Sequence, residues 1–350
     1  VKYQRDILKD VEGYTPGEQL NVPDIIKLNT NENPYPPSPK VGEALSAITG
    51  DALRKYPDPL SVELRRACAE RYGYDSGDWV MAGNGMDELL AMTIRTFVNP
   101  GETVLSVNPT YSLYEILVQL HGARYETVDL NPDGSLSDAL FSAKGALCFV
   151  PRPNAPTGFC ESRESMERFC EAFDGIVYID EAYVDFADDS CMDFPKRFDN
   201  VIVGRTFSKA FGLAGMRIGV AVANPDIMAE FLKTKDSYNL SGAAQAAGIA
   251  AMQDYDYTMA QVAKIKVTRA RMTDALRDLG FVIADSQSNF VLARWKDEAS
   301  AKEIFQQLRE RAILIRYFDT EGLRDALRIS VGTDVEVDAL LGALRDILNP

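Results

Sequence analysis

The sequence predicts an α/β fold in which a mostly parallel, seven-stranded sheet lies between helices and is followed by a smaller α/β domain. Three observations predict it. Between residues 79 and 224, short runs of strand-forming residues alternate with helix-like segments. Several of these runs are almost wholly apolar, as strands must be when helices cover both faces of their sheet. Beyond Asn224 the alternation gives way to successive helices, and then to a second, shorter set of strands and helices.

The first forty residues are rich in Pro and Asn and lack periodicity, so residues 1–40 read as an extended arm that also contributes to the small domain. A large domain over 41–254 contains predicted strands at 79–82, 103–107, 125–130, 146–150, 176–179, 201–203 and 218–223. Helices at 87–98, 111–121 and 162–173 connect them, and helices at 226–237 and 242–254 close the domain. The small domain, 255–350, opens with a long helix carrying Val262, Ile265, Met272, Leu276 and Leu279, which Gly280 ends as a C′ residue. Strands at 281–284, 290–293, 313–317 and 327–331 follow. The last helix begins at a capping box, Thr333 to Glu336, and repeats apolar residues at Val337, Leu340, Leu341, Leu344 and Ile347.

Composition removes several classes of function. A net charge of −15, with no basic cluster to offset it, repels a phosphate backbone, so nucleic acid is not an expected partner. Apolar stretches such as 218–223 fall far short of the roughly 18 residues of a membrane span. The charged opening VKYQRDILKDVEGY does not read as a secretory signal. Cys68, Cys148, Cys160, Cys170 and Cys191 are odd in number and lack CxxC spacing, so they read as reduced thiols of a cytoplasmic protein. His121 is the only histidine, which excludes a histidine-rich metal site. Its place before Gly122 fits a surface residue at a helix C-terminus better than a catalytic one.

Four segments carry candidate chemistry, and each has a plainer alternative. In TFSKAFGLAGMRIG, 206–219, Lys209 has Ser208, Ala210, Phe211 and Leu213 around it and no acidic neighbour. Withdrawing a lysine from water favours the free amine that attacks a carbonyl; the alternative is a solvated charge in a Gly-rich loop. Arg217, with Thr206 and Ser208, supplies a cation and two hydroxyls for a phosphate monoester. In YIDEAY, 178–183, Asp180 ends an apolar strand, where acidic residues line the ligand crevice of an α/β sheet or cap a turn. In PRPNAPTGF, 151–159, a Pro-stiffened turn either presents the Asn154 amide to a ligand or merely redirects the chain. In AGNGMDELL, 82–90, a strand, a turn at Gly85 and a helix make an anion site. The same segment mimics a dinucleotide fingerprint, but Glu88 stands where its third glycine belongs, which leaves a nicotinamide dehydrogenase a weak rival.

Phosphate turn, Asn turn, acidic strand end and lysine loop occur in that order, each at a strand terminus. In this the chain resembles the fold-type I aminotransferases, which depend on pyridoxal 5′-phosphate (PLP), and its motifs are similar in wording to those of the histidinol-phosphate aminotransferase family. The resemblance runs from GYTPGEQ (13–19) and LNTNENPYPPS (28–38), through KYPDP (55–59), to LRISVGT (327–333). It implies that Lys209 holds PLP as a Schiff base, that Asp180 pairs with the ring nitrogen, and that Asn154 and Tyr183 meet the ring oxygen. It also implies that Tyr111, in NPTYSLY, stacks on the ring. The phosphate is expected at the Gly85 turn, on the N–H groups of Met86 and Asp87, the hydroxyls of Thr206 and Ser208, and Arg217. Tyr56 is expected to reach the phosphate of a neighbouring subunit, which implies a homodimer with shared active sites.

On the substrate side the resemblance implies Arg328 as the anchor for both an α-carboxylate and a phosphate, since a guanidinium fork grips either. Arg316, Tyr14, Asn33 and Asn154 are the further implied contacts, Arg316 having the alternative of a solvent-facing strand residue. Met86 departs from the family, which more often has a small residue there, and Arg152 replaces a more usual asparagine. The implied reaction moves the amino group of L-histidinol phosphate to 2-oxoglutarate in histidine biosynthesis, with Lys209 as anchor and general base. Aromatic aminotransferases and threonine-phosphate decarboxylases share the cofactor motifs and are the alternatives. A gene regulator built on the same fold would need a DNA-binding domain, for which the arm leaves too little chain.

Overall fold

The computed structural model describes residues 3–9, 11–20 and 24–348. The described residues of the arm make a short 3-10 turn at Asp6–Lys9 and a two-residue strand, β1 (Ile26–Lys27). Three helices follow: α1 (Pro39–Ser46), α2 (Gly50–Leu53) and α3 (Val62–Arg71). Proline at the first turn and the Ser38 hydroxyl, which accepts from the Lys40 N–H, start α1.

The large sheet is built from β2 (Val80–Asn84), β3 (Thr103–Asn108), β4 (Arg124–Asp129), β5 (Leu147–Pro151), β6 (Ile176–Asp180), β7 (Val201–Thr206) and β8 (Ile218–Ala223). Helices α4 (Met86–Phe97), α5 (Leu113–His121), α6 (Asp138–Ser142) and α7 (Arg163–Ala172) connect successive strands from β2 to β6. The strand order is β2-β8-β7-β6-β5-β3-β4. Only β8 runs against its neighbours; the ladders β7·β6, β6·β5, β5·β3 and β3·β4 are parallel. All seven predicted strands are therefore present, most of them a residue or more longer than the apolar runs that announce them.

β5, β7 and β8 are buried at every position, which explains the apolar runs of β5, of β8 and of 201–203 in β7; Arg205 and Thr206 extend β7 as buried polar residues. Their alternate residues feed two cores. One face packs Met81, Leu89, Leu90, Tyr114, Phe149, Tyr178, Ile202 and Phe231. The other joins Val107, Phe169, Ile179, Val203 and Ala247 to a cluster that continues into the C-terminal part through Phe281, Leu327 and Leu344.

After β8 come α8 (Pro225–Thr234), α9 (Gly242–Gln253) and the long α10 (Tyr255–Asp278), where Gly280, at φ +98°, follows the last turn as expected. The remaining elements are β9 (Val282–Ile283), β10 (Phe290–Arg294), α11 (Glu298–Glu310), β11 (Ile313–Leu314), β12 (Arg316–Tyr317), β13 (Ala326–Ser330) and α12 (Asp334–Leu348). They form an antiparallel sheet of order β12-β13-β10-β9. The strand predicted at 313–317 is two strands: β11 leaves this sheet to pair in parallel with β1 of the arm, while β12 pairs with β13. At the start of α12, Glu336 accepts from the Thr333 N–H at 2.7 Å and Thr333 accepts from the Glu336 N–H at 3.3 Å, the reciprocal pair its sequence predicts. Among the described residues no helix is long and apolar enough to cross a membrane.

Candidate active site

Because β8 is antiparallel, its start lies beside the carboxyl ends of β2 and β7, with Asn84 opposite Ile218 and Thr206 opposite Gly219. One edge of the sheet thus collects the ends of β2, β3, β5, β6 and β7 together with Arg217, which precedes β8. Ligands of open α/β sheets bind at such an edge.

At one end of this row, Gly85 turns the chain from β2 into α4 at φ +81°, and as the N-cap residue it supplies no side chain to cap the helix. Its first N–H groups are left for a ligand, and the helix dipole favours an anion there. A Cβ on Gly85 would lie 2.5 Å from the Arg217 guanidinium, so glycine lets that cation close over the turn. Arg217 donates to the Ser208 hydroxyl at 3.3 Å and pairs with Asp87 at 3.0 Å, while the Thr206 hydroxyl accepts from the Ser208 N–H at 3.2 Å. Gly85, Met86, Asp87, Thr206, Ser208 and Arg217 are thus gathered around the turn from β2 into α4. Glu88, which breaks the dinucleotide fingerprint, accepts from the Asn84 N–H and from the Asn239 amide at 2.8 Å, and so closes the turn itself.

Lys209 stands in a tight turn, its carbonyl accepting from the Gly212 N–H, between buried Phe207, Ala210 and Phe211. Its ammonium donates to the Thr30 carbonyl at 3.0 Å and lies 5.5 Å from the centre of the Tyr183 ring. Asp180 is buried at the end of β6. Burial pushes its carboxyl up to about 6, while donors from the Tyr114 hydroxyl, at 2.6 Å, and the Ala182 N–H, at 3.0 Å, pull the other way. Among the described residues it has no ion-pair partner, so it can accept a proton-bearing heterocyclic nitrogen. Asn154 is buried, its amide donating to the Pro109 carbonyl at 3.0 Å and its Oδ1 without a partner among the described residues. Tyr111 packs edge-on against Tyr14 and Tyr114, with ring centres 5.9 and 5.6 Å apart.

Arg328 and Arg316 face each other across the β12·β13 ladder. Arg328 donates to the Asn29 carbonyl at 2.9 Å, keeps a buried Nε without a partner among the described residues, and lies over Phe290 and Phe318. Burial, and to a smaller extent the nearby Arg316, works against its charge. Both ends of the Asn33 carboxamide are engaged inside the chain: it donates to the Ala210 carbonyl and accepts from the Tyr35 N–H. Tyr56 is 79% exposed and stacked on Tyr238.

Sequence reasoning missed three groups. Tyr114, three residues beyond Tyr111, holds Asp180. Asn31 donates to the Tyr183 hydroxyl at 3.0 Å. Behind Asp180, buried Glu181 pairs with Arg205 at 3.0 Å, and Arg205 with Asp185 at 3.1 Å. Arg152 belongs to this network: it is buried, donates to the Glu161 carbonyl at 2.7 Å, pairs with Asp189 and lies 4.0 Å from Glu181. Its N–H also donates to the Asp180 carbonyl at 2.8 Å, so it braces the strand ends that carry Asn154 and Asp180. His121 bonds to the Val98 carbonyl at 2.7 Å at the end of α5, outside the crevice.

The model of the family described as aminotransferase class I and II matches residues 23–344. A histidinol-phosphate aminotransferase of Rippkaea orientalis is 43% identical over 345 residues, covering 98% of each chain. One from Syntrophotalea carbinolica is 44% identical over 347 residues, covering 98% of this chain and 99% of the relative. The crystal structure of histidinol-phosphate aminotransferase from Sinorhizobium meliloti in complex with pyridoxal 5′-phosphate is similar with a TM-score of 0.86 at 31% identity, over 92% of this chain and 90% of that one.

Proposed function

The chain belongs to the family of class I and II aminotransferases, enzymes that use PLP to transaminate, and from this we propose that it moves the amino group of L-histidinol phosphate to 2-oxoglutarate. The observation that carries the substrate reading is the pair Arg328 and Arg316. Two arginines opposed on one ladder, with no ion-pair partner among the described residues, in a chain of charge −15, suit a small dianion. A phosphate monoester supplies one, and the two carboxylates of 2-oxoglutarate supply the other. Full-length identity of 43% to relatives named for histidinol phosphate agrees with it.

The crevice suits PLP on three counts. The Gly85 turn and Arg217 offer N–H groups and a cation to the phosphate. Among the described residues, Asp180 is a buried carboxylate lacking a cation, and Asn154 keeps a buried polar atom lacking a partner. When bound, PLP supplies an aldehyde for amino exchange and a ring that accepts electrons from the substrate Cα. In our reading Asp180 holds the proton on the ring nitrogen, Asn154 and Tyr183 contact the ring oxygen, Tyr111 stacks on the ring, and Arg217, Ser208, Thr206 and the N–H groups of Met86 and Asp87 hold the phosphate. Lys209 would anchor the cofactor, and its Nζ would take the proton from the substrate Cα. Arg328 grips the substrate anion, with Arg316 and Tyr14 beside it. Tyr56 serves a partner subunit in a homodimer. The unpaired cysteines suit work in the reducing cytoplasm.

The test is to add L-histidinol phosphate, phenylalanine, threonine phosphate or glutamate singly to the yellow holoenzyme and follow the loss of its visible band. Histidinol phosphate and glutamate are expected to bleach it. Bleaching by phenylalanine without histidinol phosphate would overturn the substrate while leaving the enzyme class intact.

A further inference from the structure

Arm residues 29–31 run between the small antiparallel sheet and the crevice, and their bonds converge on Asn31. This residue is 1% exposed and sits at φ +55°, a left-handed backbone that asparagine tolerates better than most side chains. All its polar groups are engaged. Its N–H donates to the Ser330 hydroxyl and its Oδ1 accepts from that same hydroxyl, both at 2.9 Å. Its carbonyl accepts from the Asn289 amide at 2.9 Å. Its own amide donates to the Tyr183 hydroxyl at 3.0 Å. On the preceding residues, the Asn29 carbonyl accepts from Arg328 and the Thr30 carbonyl from Lys209.

The direction of the bond to Tyr183 matters. A phenol has one proton, and the Asn31 amide occupies an oxygen lone pair, so that proton is left for a different acceptor. Ser330, at the end of β13, fixes the carboxamide that does this. We propose that Asn31 is a positioning residue, whose carboxamide aims the Tyr183 hydroxyl at the cofactor ring oxygen as a donor and ties that aim to the small sheet through Ser330. The proposal rests on the reading that Tyr183 meets the ring oxygen.

The competing explanation is that asparagine is present only because the backbone is left-handed. Asn31→Gly separates the two, since glycine keeps that backbone and both main-chain bonds while removing the carboxamide. A donor to the ring oxygen stabilises its negative charge, and losing the donor makes that oxygen more basic. The oxygen then holds the neighbouring Schiff-base proton to higher pH. The pH midpoint of the bound cofactor's visible band should therefore rise in Asn31→Gly by about half to one pH unit, the effect of one hydrogen bond. Apoenzyme affinity for PLP should fall roughly 3- to 10-fold for the same reason. Tyr183→Phe should raise the midpoint as well, and adding Asn31→Gly to it should change nothing more. A wild-type midpoint in Asn31→Gly, or a full extra shift on top of Tyr183→Phe, overturns the proposal. An unmoved midpoint in Tyr183→Phe instead removes the reading of Tyr183 and the proposal with it. Should Asn31→Gly fail to fold, Ser330→Ala takes its place, with a smaller rise expected and no rise counting against the idea.

Discussion

Asp180 has a partner 66 residues away in sequence, and that partner sets what its carboxyl can do. The Tyr114 hydroxyl donates to it from a fully buried ring stacked on Phe149, with centres 4.7 Å apart. Tyr114→Phe keeps the stack and leaves the buried carboxylate one donor poorer, so Asp180 should protonate at still higher pH. PLP binding at pH 7 should weaken by about 1 kcal/mol, roughly 5-fold, measured by cofactor titration of the apoenzyme. The pH dependence has a definite sign. With its carboxyl raised from 3.8 to about 6, folded Asp180 retains its proton where the unfolded chain has lost it. Its contribution to apoenzyme stability is present below pH 4 and is lost as pH rises through about 6, roughly 3 kcal/mol over the window. A ring-nitrogen cation removes that penalty, so the stabilisation by PLP should grow between about pH 4 and pH 6. Melting curves of apo and holo protein across that range test this, with Asp180→Asn as the variant that should lose the growth. Lys209, Asp180, Asn154 and Arg217 are legible in the sequence because each adjoins the end of an apolar strand. Tyr114 and Asn31 are not, because their meaning lies in hydrogen bonds to residues 66 and 152 positions away.

At the scale of elements, the site depends on how closely β8 approaches the turn between β2 and α4. A Cβ on Gly219 would lie 2.6 Å from the Gly85 carbonyl carbon and from the Met86 nitrogen, both backbone atoms that cannot rotate away. Gly219→Ala should push the start of α4 outward and open the phosphate cradle, at a packing cost of about 1–3 kcal/mol. The specific readout is the ratio of affinities for PLP and for pyridoxal, which lacks the phosphate. The ratio should narrow in this variant, and an unchanged ratio would show that the turn does not hold the phosphate. The strand edges that build this cradle are legible because covered parallel strands are continuously apolar. Helix α3 is not, because its buried stripe of Leu64, Arg65, Cys68 and Ala69 contains an arginine. Arg65 is tolerated there because its guanidinium bonds the Gly77 and Val80 carbonyls, contacts that no periodicity announces. The division of 313–317 into β11 and β12 is equally hidden, since the partner that captures β11 is β1, far back in the arm.

For the whole molecule, the loop and helices around residues 53–62 place apolar side chains in water. Leu53 and Tyr56 are mostly exposed, and Leu60, Val62 and Tyr238 are exposed beside them in the chain or stacked on Tyr56. This loop is nonetheless well fastened: the Gln245 amide donates to the Asp58 carbonyl at 2.9 Å, and the Asp58 carboxylate accepts from the Leu60 and Val62 N–H groups at 3.0 and 2.7 Å. A fixed loop with an exposed apolar surface is suited to a second copy of the chain, and a two-fold dimer would present the same surface from both sides. Leu53→Glu combined with Val62→Glu should then sediment as a monomer and lose activity with Lys209 intact. Whether Tyr56 completes the partner's site is decided by mixing. A Lys209→Ala chain and a Tyr56→Ala chain are each impaired, yet a mixed dimer assembles one site with lysine from one chain and tyrosine from the other. After co-refolding at equal amounts, half the dimers are mixed and half of their sites are whole, so activity should recover to about one quarter of wild type. If each site draws Lys209 and Tyr56 from the same chain, the mixture cannot exceed the sum of its two parents, and the shared-site reading fails on that number alone.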